Sequence, residues 1–166
     1  ENEINSTLNF KERCQFCICG GSTPKGVYSL LSKKDLIWEK VDLFLGDERV
    51  VNPQSEDSNT LMIRNSLLKN FGSNASFYEI FNNVTLDEDI AKEKLIKELN
   101  KKCQGNPPSF DLTLLGLGDD GHTASLFPYE SSNLSDDYVI YSFGKGLKRI
   151  SLTPKILSLS NKVIFL

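Results

Sequence analysis

The sequence of 166 residues lacks a long apolar run: no segment approaches the roughly 18–20 residues that a membrane-spanning helix needs. It also lacks an excess of basic residues, since 19 lysines and arginines stand against 22 aspartates and glutamates, so a nucleic-acid-binding surface is not expected. Its 39% hydrophobic and 25% charged residues are typical of a globular domain with a substantial core. The composition therefore excludes membrane-spanning, disordered, collagen-like and disulfide-rich miniprotein classes.

The sequence has a single histidine, His122. It is far in sequence from three clustered cysteines, Cys14, Cys17 and Cys19. A zinc or iron–sulfur site needs a fourth ligand at matching spacing, so we expect no metal. The cysteines are instead expected in a buried strand, where a free thiol packs as a small apolar group. Reduced thiols and a polar first segment without a secretory leader indicate a cytoplasmic protein.

Short apolar runs alternate with helical patterns, which predicts an α/β fold: a mostly parallel open sheet with helices on both faces, of the Rossmann-like type. The predicted strands are 15–19, 41–45, 111–115, 138–141, 150–152 and 163–166. The chain contains no repeat or linker that would divide it, so residues 1–166 are expected to form a single domain.

The helix signals are caps followed by apolar residues at helical spacing. One helix is expected after Ser22 or Thr23 as its cap, with Pro24 in its first position and Val27, Leu30 and Leu31 on its apolar face. Another is expected over 58–71, with residues 61, 67, 68 and 71 inward. Thr85-x-x-Glu88 is a capping box for a helix to about Lys102, with an apolar stripe at 91, 95, 96 and 99, and a short helix is expected from about Pro154.

Three polar segments each follow a predicted strand, at 20–26, 46–49 and 116–123, and ligands of open α/β sheets bind beyond the carboxyl ends of strands. Gly20 and Gly21 let the backbone approach a ligand, and Ser22 and Thr23 add donors for phosphate oxygens at a helix N-terminus. The spacing is not that of a nucleotide P-loop. The alternative for this segment is a tight turn and helix cap with no ligand.

The glycines at 116, 118 and 121 match the dinucleotide-binding pattern, but Asp119 and Asp120 would repel a pyrophosphate there. A better interpretation is that the carboxylate of Asp120 orients the imidazole of His122, which then acts as a catalytic base. The alternative is that His122 is an ordinary surface or core histidine.

Basic residues next to two strands are candidates for binding an anion. Arg49 can bind phosphate bidentately, or it can form a surface ion pair with Asp47 or Glu48. Lys148-Arg149 is a second basic pair that can reach the same anion, or it can simply be solvated.

With these motifs the chain resembles the 6-phosphogluconolactonases of the glucosamine-6-phosphate isomerase/6-phosphogluconolactonase superfamily. The segments that carry the resemblance are CGGSTPK at 19–25, WEKV at 38–41, FLGDERVV at 44–51, DSN at 57–59, DLTLLGLGDDGHTASLFP at 111–128 and RISLT at 149–153. The resemblance implies hydrolysis of 6-phospho-D-glucono-1,5-lactone to 6-phosphogluconate, without metal or organic cofactor, on the fold of the sugar-phosphate isomerases and lactonases.

The resemblance also implies roles for residues. His122 would be the general base and Asp120 would orient it; Asp47 would line the sugar site. The loop from Gly20 to Thr23 and Arg49 would hold ligand oxygens, phosphate foremost, with Arg149 as a further binding residue.

Two other functions stay open: deamination and isomerisation of glucosamine 6-phosphate, and non-catalytic binding of a sugar phosphate. Family members are longer, so the single domain is expected to be incomplete at both ends. Some are fused to the preceding dehydrogenase, which makes fusion to or association with glucose-6-phosphate dehydrogenase a further expectation.

Overall fold

The computed structural model describes residues 1–82 and 86–166. In these ranges the strands, in chain order, are β1 (Cys14–Ile18), β2 (Val41–Leu45), β3 (Asp47–Arg49), β4 (Ser76–Tyr78), β5 (Leu112–Leu115), β6 (Val139–Gly144), β7 (Leu147–Leu152) and β8 (Lys162–Phe165). The helices are α1 (Asn2–Leu8), α2 (Ser22–Leu31), α3 (Asn59–Ser66), α4 (Glu88–Lys102) and α5 (Pro154–Ser158). Single 3₁₀ turns occupy Trp38–Lys40, Asn70–Asn74 and Ser131–Leu134.

The main sheet has five parallel strands in the order β4-β2-β1-β5-β8. Every residue of β1, β2 and β5 is buried, which explains why these strands are apolar runs interrupted by one polar residue each, Gln15, Asp42 and Thr113. The sheet is flanked by helices, and the predicted α/β fold with a mostly parallel open sheet is confirmed.

A second sheet was not predicted. It has three antiparallel strands in the order β3-β7-β6, and it begins at β3, only one residue after β2 ends. The segment 47–49, expected to be a loop, is therefore a short strand that carries the chain from one sheet to the other.

The cysteines behave as small core residues. Cys14 and Cys17 lie in β1, Cys19 follows it, and all four cysteines are buried and free. Burial raises the pKa of the Cys14 and Cys103 thiols to about 12, so they stay protonated at neutral pH. Within residues 1–82 and 86–166, no group of three or more potential metal ligands is close enough to hold an ion.

The beginning of α2 differs from the prediction. Its N-cap is Gly21, and no side chain bonds to the free amides, so Ser22 and Thr23 are first-turn residues rather than caps and Pro24 is the third residue of the helix. The expected apolar face was also wrong in part, because Val27 and Leu30 are 41% and 67% exposed. The buried side chains of α2 are Pro24 and Tyr28.

Helices α3 and α4 also end or begin at other residues than expected. α3 ends at Ser66, and Phe71, expected to face inward, lies in a 3₁₀ turn and is 48% exposed. α4 is capped by the Asp87 side chain, which accepts from the amide of Ile90; Thr85 of the expected capping box lies outside the described residues. The stripe of α4 is as predicted, with residues 91, 95 and 99 buried and 96 packed against them. In the described part of the chain, no helix is long and apolar enough to cross a membrane.

Candidate active site

A cleft of about 300 Å³ lies where the strand-end segments meet. Eight of the nine residues predicted for the site line it: Gly20, Gly21, Ser22, Thr23, Asp47, Arg49, His122 and Arg149. The ninth, Asp120, lies behind the cleft wall and contacts His122 directly. The order β2-β1-β5 explains this convergence, because the three parallel strands deliver their following loops to one edge of the sheet.

The imidazole of His122 is held by Asp120 in one orientation. Its Nδ1 makes a short hydrogen bond with Oδ1 of Asp120, and the same oxygen accepts from the His122 amide at 3.2 Å. The hydrogen bond from His122 lowers the pKa of Asp120, so the carboxyl is ionised and can only accept. Nδ1 is therefore the donor of this hydrogen bond, and in the neutral imidazole the lone pair is then on Nε2, the atom that a general base uses.

Gly118 makes room for this imidazole. A Cβ atom at Gly118 would lie 2.2 Å from Nδ1 and Cε1 of His122 and 2.9 Å from Oδ1 of Asp120. The Gly118 amide also donates to the carbonyl of His122 at 2.8 Å, which folds the loop back on itself. The middle glycine of the apparent dinucleotide motif, Gly118, thus allows the close approach of a histidine. On its other side, the ring of His122 contacts Phe127, with centroids 4.8 Å apart.

The glycine loop after β1 makes a tight turn that leads directly into α2. Gly21 has φ of 107°, a conformation that side-chain-bearing residues rarely adopt, and α2 begins immediately after it. Because the N-cap residue is a glycine and no side chain of the described residues caps α2, its first amides are free for a ligand. Gly20 packs against Asn59, whose Oδ1 lies only 1.9 Å from where a Cβ of Gly20 would be.

The three charged residues of β3 have three different environments. Asp47 is buried, and its carboxylate accepts from Ser125 Oγ and from Asn59 Nδ2, the latter at 3.3 Å. Glu48 is also buried and accepts four hydrogen bonds, from the amides of residues 49, 59 and 60 and from the hydroxyl of Ser58. Glu48 therefore holds the first turn of α3 against β3 and does not reach the cleft.

Arg49 extends along the wall of the cleft. Its Nη1 donates to the carbonyl of Asp57, so the guanidinium bonds to backbone rather than to either neighbouring carboxylate. Its Nε is buried and has no hydrogen-bond partner among residues 1–82 and 86–166. The surface ion pair weighed from the sequence is therefore not what the structure contains, and Arg49 retains donor capacity beside the cleft.

Arg149 lies in β7, directly opposite Arg49 on the neighbouring strand β3 of the second sheet. It is 4% exposed and lies 3.7 Å from the Asp47 carboxylate, 3.4 Å from Ser125 Oγ and 3.2 Å from the carbonyl of Gly144. Burial, and then the charge of Arg49, lower the pKa of Arg149. Lys148, its expected companion, points elsewhere and pairs with Glu88 at 2.9 Å.

Sequence reasoning assigned no role to Asn59, Ser125 and Lys145. The first two lie inside quoted motifs, and they join Asp47 to the glycine loop and to Arg149. Lys145 lines the cleft from the two-residue turn between β6 and β7, where it has φ of 52° and Gly146 has 79°. The signal for that turn was the Lys-Gly pair between two apolar runs.

The fold and the cleft define an α/β protein with a carboxylate-oriented histidine in the same cleft as two arginines and a glycine loop, at the strand ends. The whole chain, residues 1–166, matches the family model of glucosamine-6-phosphate isomerases/6-phosphogluconolactonase, and the chain belongs to this family. It is 34% identical over 169 residues to a 6-phosphogluconolactonase of Nostoc and 37% identical over 153 residues to one of Synechocystis. These alignments cover 98% and 90% of this chain but 70% and 64% of the relatives.

Solved structures of 6-phosphogluconolactonases superpose on this chain over nearly its whole length. A 6-phosphogluconolactonase from Shewanella baltica superposes with a TM-score of 0.88 at 26% identity, and the match covers 99% of this chain and 71% of that one. A 6-phosphogluconolactonase from Thermotoga maritima superposes with a TM-score of 0.85 at 30% identity, covering 99% and 74%.

Proposed function

We propose that the chain hydrolyses 6-phospho-D-glucono-1,5-lactone to 6-phosphogluconate, the second step of the oxidative pentose phosphate pathway. The observation that carries the proposal is the placement of the Asp120–His122 pair in the same cleft as Arg49, Arg149 and the glycine loop. A base beside a phosphate-binding pocket is what hydrolysis of a phosphorylated lactone requires. The names of the relatives point to the same reaction.

In this proposal His122 activates water. Nε2 takes a proton as the water oxygen bonds to C1 of the lactone, and Asp120 stabilises the imidazolium that results. The bond between C1 and the ring oxygen then breaks, and the proton on Nε2 passes to that oxygen, which becomes the C5 hydroxyl. General-base assistance of this kind contributes about 10²–10⁴-fold. The reaction uses water and side chains alone, so the proposal includes no cofactor.

Arg49, Arg149 and the loop from Gly20 to Thr23 bind the substrate in this proposal, with the phosphate as their main partner. The free amides of α2 and the hydroxyls of Ser22 and Thr23 supply neutral donors, and the two guanidinium groups supply charge. Asp47 has both oxygens engaged, so its contribution to the sugar site is to fix Asn59, Ser125 and Arg149 around it.

The test is lactone hydrolysis followed by NMR against the spontaneous rate. We expect a clear acceleration and no ammonia on incubation with glucosamine 6-phosphate. Ammonia release would favour the sister activity, and binding of 6-phosphogluconate without acceleration would favour a sugar-phosphate-binding domain. A cytoplasmic location and a single domain stay predictions from the composition and pattern of the sequence. Incompleteness of that domain at both ends, and fusion to or association with glucose-6-phosphate dehydrogenase, stay predictions of the resemblance.

A further inference from the structure

The hydroxyl of Tyr28 forms hydrogen bonds with both the backbone amide and the backbone carbonyl of Cys19. It accepts from the Cys19 amide at 3.1 Å and donates to the Cys19 carbonyl at 3.0 Å. Tyr28 is fully buried in α2, and its side chain does not line the cleft. The contact therefore joins the second turn of the helix to the residue that leads into the glycine loop.

Cys19 needs such a partner because it lies just beyond the parallel ladder. The register of β1 with β2 ends at Ile18, paired with Leu45, and its register with β5 ends at Cys17. Cys19 is nevertheless buried, and a buried backbone amide or carbonyl without a partner is costly. The Tyr28 hydroxyl satisfies both groups at the point where the chain leaves the sheet.

We infer that Tyr28 is a positioning residue, which holds Cys19 so that Gly20 to Thr23 keep their anion-binding shape before any ligand arrives. This inference rests on the proposed function, in which that loop binds the phosphate. A loop held in its bound shape loses little conformational freedom on binding, so its affinity is higher. The opposite side of the loop is already fixed by the contact of Gly20 with Asn59.

Tyr28→Phe tests the inference because it removes the hydroxyl and keeps the ring. We expect KM for the lactone, and Kd for 6-phosphogluconate, to rise about tenfold with kcat within twofold, since only binding that is equal in ground and transition states is lost. Tyr78→Phe is the matched control: its hydroxyl bonds to Asp42 at 3.1 Å, away from the cleft, so KM and Kd should not change.

The outcomes separate this inference from the proposed function. A wild-type KM and Kd in Tyr28→Phe, with normal wild-type hydrolysis, overturns the role of Tyr28 and leaves the proposed function intact. A wild type that binds 6-phosphogluconate without hydrolysing the lactone overturns the proposed function. The role of Tyr28 is then tested separately, by the ratio of the Kd of Tyr28→Phe to that of the wild type. A lower melting temperature with unchanged Kd identifies Tyr28 as a purely structural residue and contradicts the inference.

Hydrogen exchange on the wild type covers the case in which Tyr28→Phe does not fold. We expect the Cys19 amide to be strongly protected in the absence of ligand, with little further protection on adding 6-phosphogluconate. Exchange at the rate of an unstructured peptide without ligand, slowed only when ligand binds, would mean that the ligand shapes the loop and Tyr28 does not.

Discussion

Arg49 and Arg149 lie directly opposite each other in the antiparallel pair of β3 and β7. Like charges in this position are normally destabilising. Here Arg149 is partly compensated by the Asp47 carboxylate, 3.7 Å away, while the Nη1 of Arg49 donates to the Asp57 carbonyl and forms no ion pair with a carboxylate of the described residues. The pair therefore concentrates positive charge on one wall of the cleft, and a bound dianion would relieve the repulsion.

Arg49→Ala should weaken binding of 6-phosphogluconate about 10- to 100-fold, since a hydrogen bond to a charged group contributes about 1.5–3 kcal/mol. The variant should also discriminate less between phosphorylated and unphosphorylated lactones. Isothermal titration measures the first effect, with Lys148→Ala as control because Lys148 pairs with Glu88 and does not line the cleft. Equal affinities of Arg49→Ala and wild type would remove Arg49 from the phosphate site.

His122→Gln should fold normally and lose about 10²–10⁴-fold in catalysed rate, leaving mainly spontaneous hydrolysis. Asp120→Asn should lose a large part of the rate as well, because an amide cannot stabilise the imidazolium in the same way. NMR of the lactone measures both, and circular dichroism with 6-phosphogluconate titration checks that fold and binding persist. Near-wild-type turnover by His122→Gln would exclude it as the base.

Gly118→Ala should reduce turnover much more than it reduces stability, because its Cβ would occupy the place of the His122 ring, 2.2 Å from Nδ1. The imidazole must then turn away from Asp120. Gly26→Ala is the control, since an added Cβ there meets nothing within 4 Å and lies on the exposed side of α2. It should be neutral or stabilise the helix by up to about 1 kcal/mol. Equal turnover of the two variants would show that His122 does not depend on Gly118.

Glu48→Ala should lower the free energy of unfolding by at least about 2 kcal/mol, since four donors lose their acceptor and an unsatisfied buried group costs about 1–3 kcal/mol. Urea denaturation measures the change as a lower midpoint at similar slope. Glu93→Ala, on the exposed side of α4, should shift the midpoint little. A similar midpoint for both variants would contradict the anchoring role of Glu48.

The parallel sheet could be predicted because its central strands are apolar runs that end in glycine. The Asp120–His122 contact could be predicted for a similar reason: the two residues are two positions apart, so local geometry alone brings them together. The apolar face of α2 was less accessible to prediction, because one large residue, Tyr28, sets which side of the helix is buried. Val27 and Leu30 are at helical spacing but remain exposed.

The second sheet could not be predicted because its pairing is not local. β3 has three residues, all charged, and its partner strand follows about a hundred positions later. The burial of Glu48 could not be predicted either. Its carboxylate accepts hydrogen bonds from backbone amides at the start of α3, and backbone amides leave no signal in the sequence. The sequence left open whether Arg49 forms a surface ion pair or lines the cleft, because its position depends on the pairing of β3 with β7.

If the cleft binds phosphate as proposed, the pairing of β3 with β7 makes affinity for that anion a property of the entire folded chain. The cleft needs residue 49 beside residue 149, and the hydrogen bond from Ser125 to Asp47 spans 78 positions. A partly folded molecule that kept its parallel sheet but lost the β3–β7 ladder would retain most of its helical signal and, in this proposal, bind the anion much more weakly. Ligand titration would then report on the molecules in which both sheets are assembled, and the ligand would stabilise those molecules most against unfolding and proteolysis.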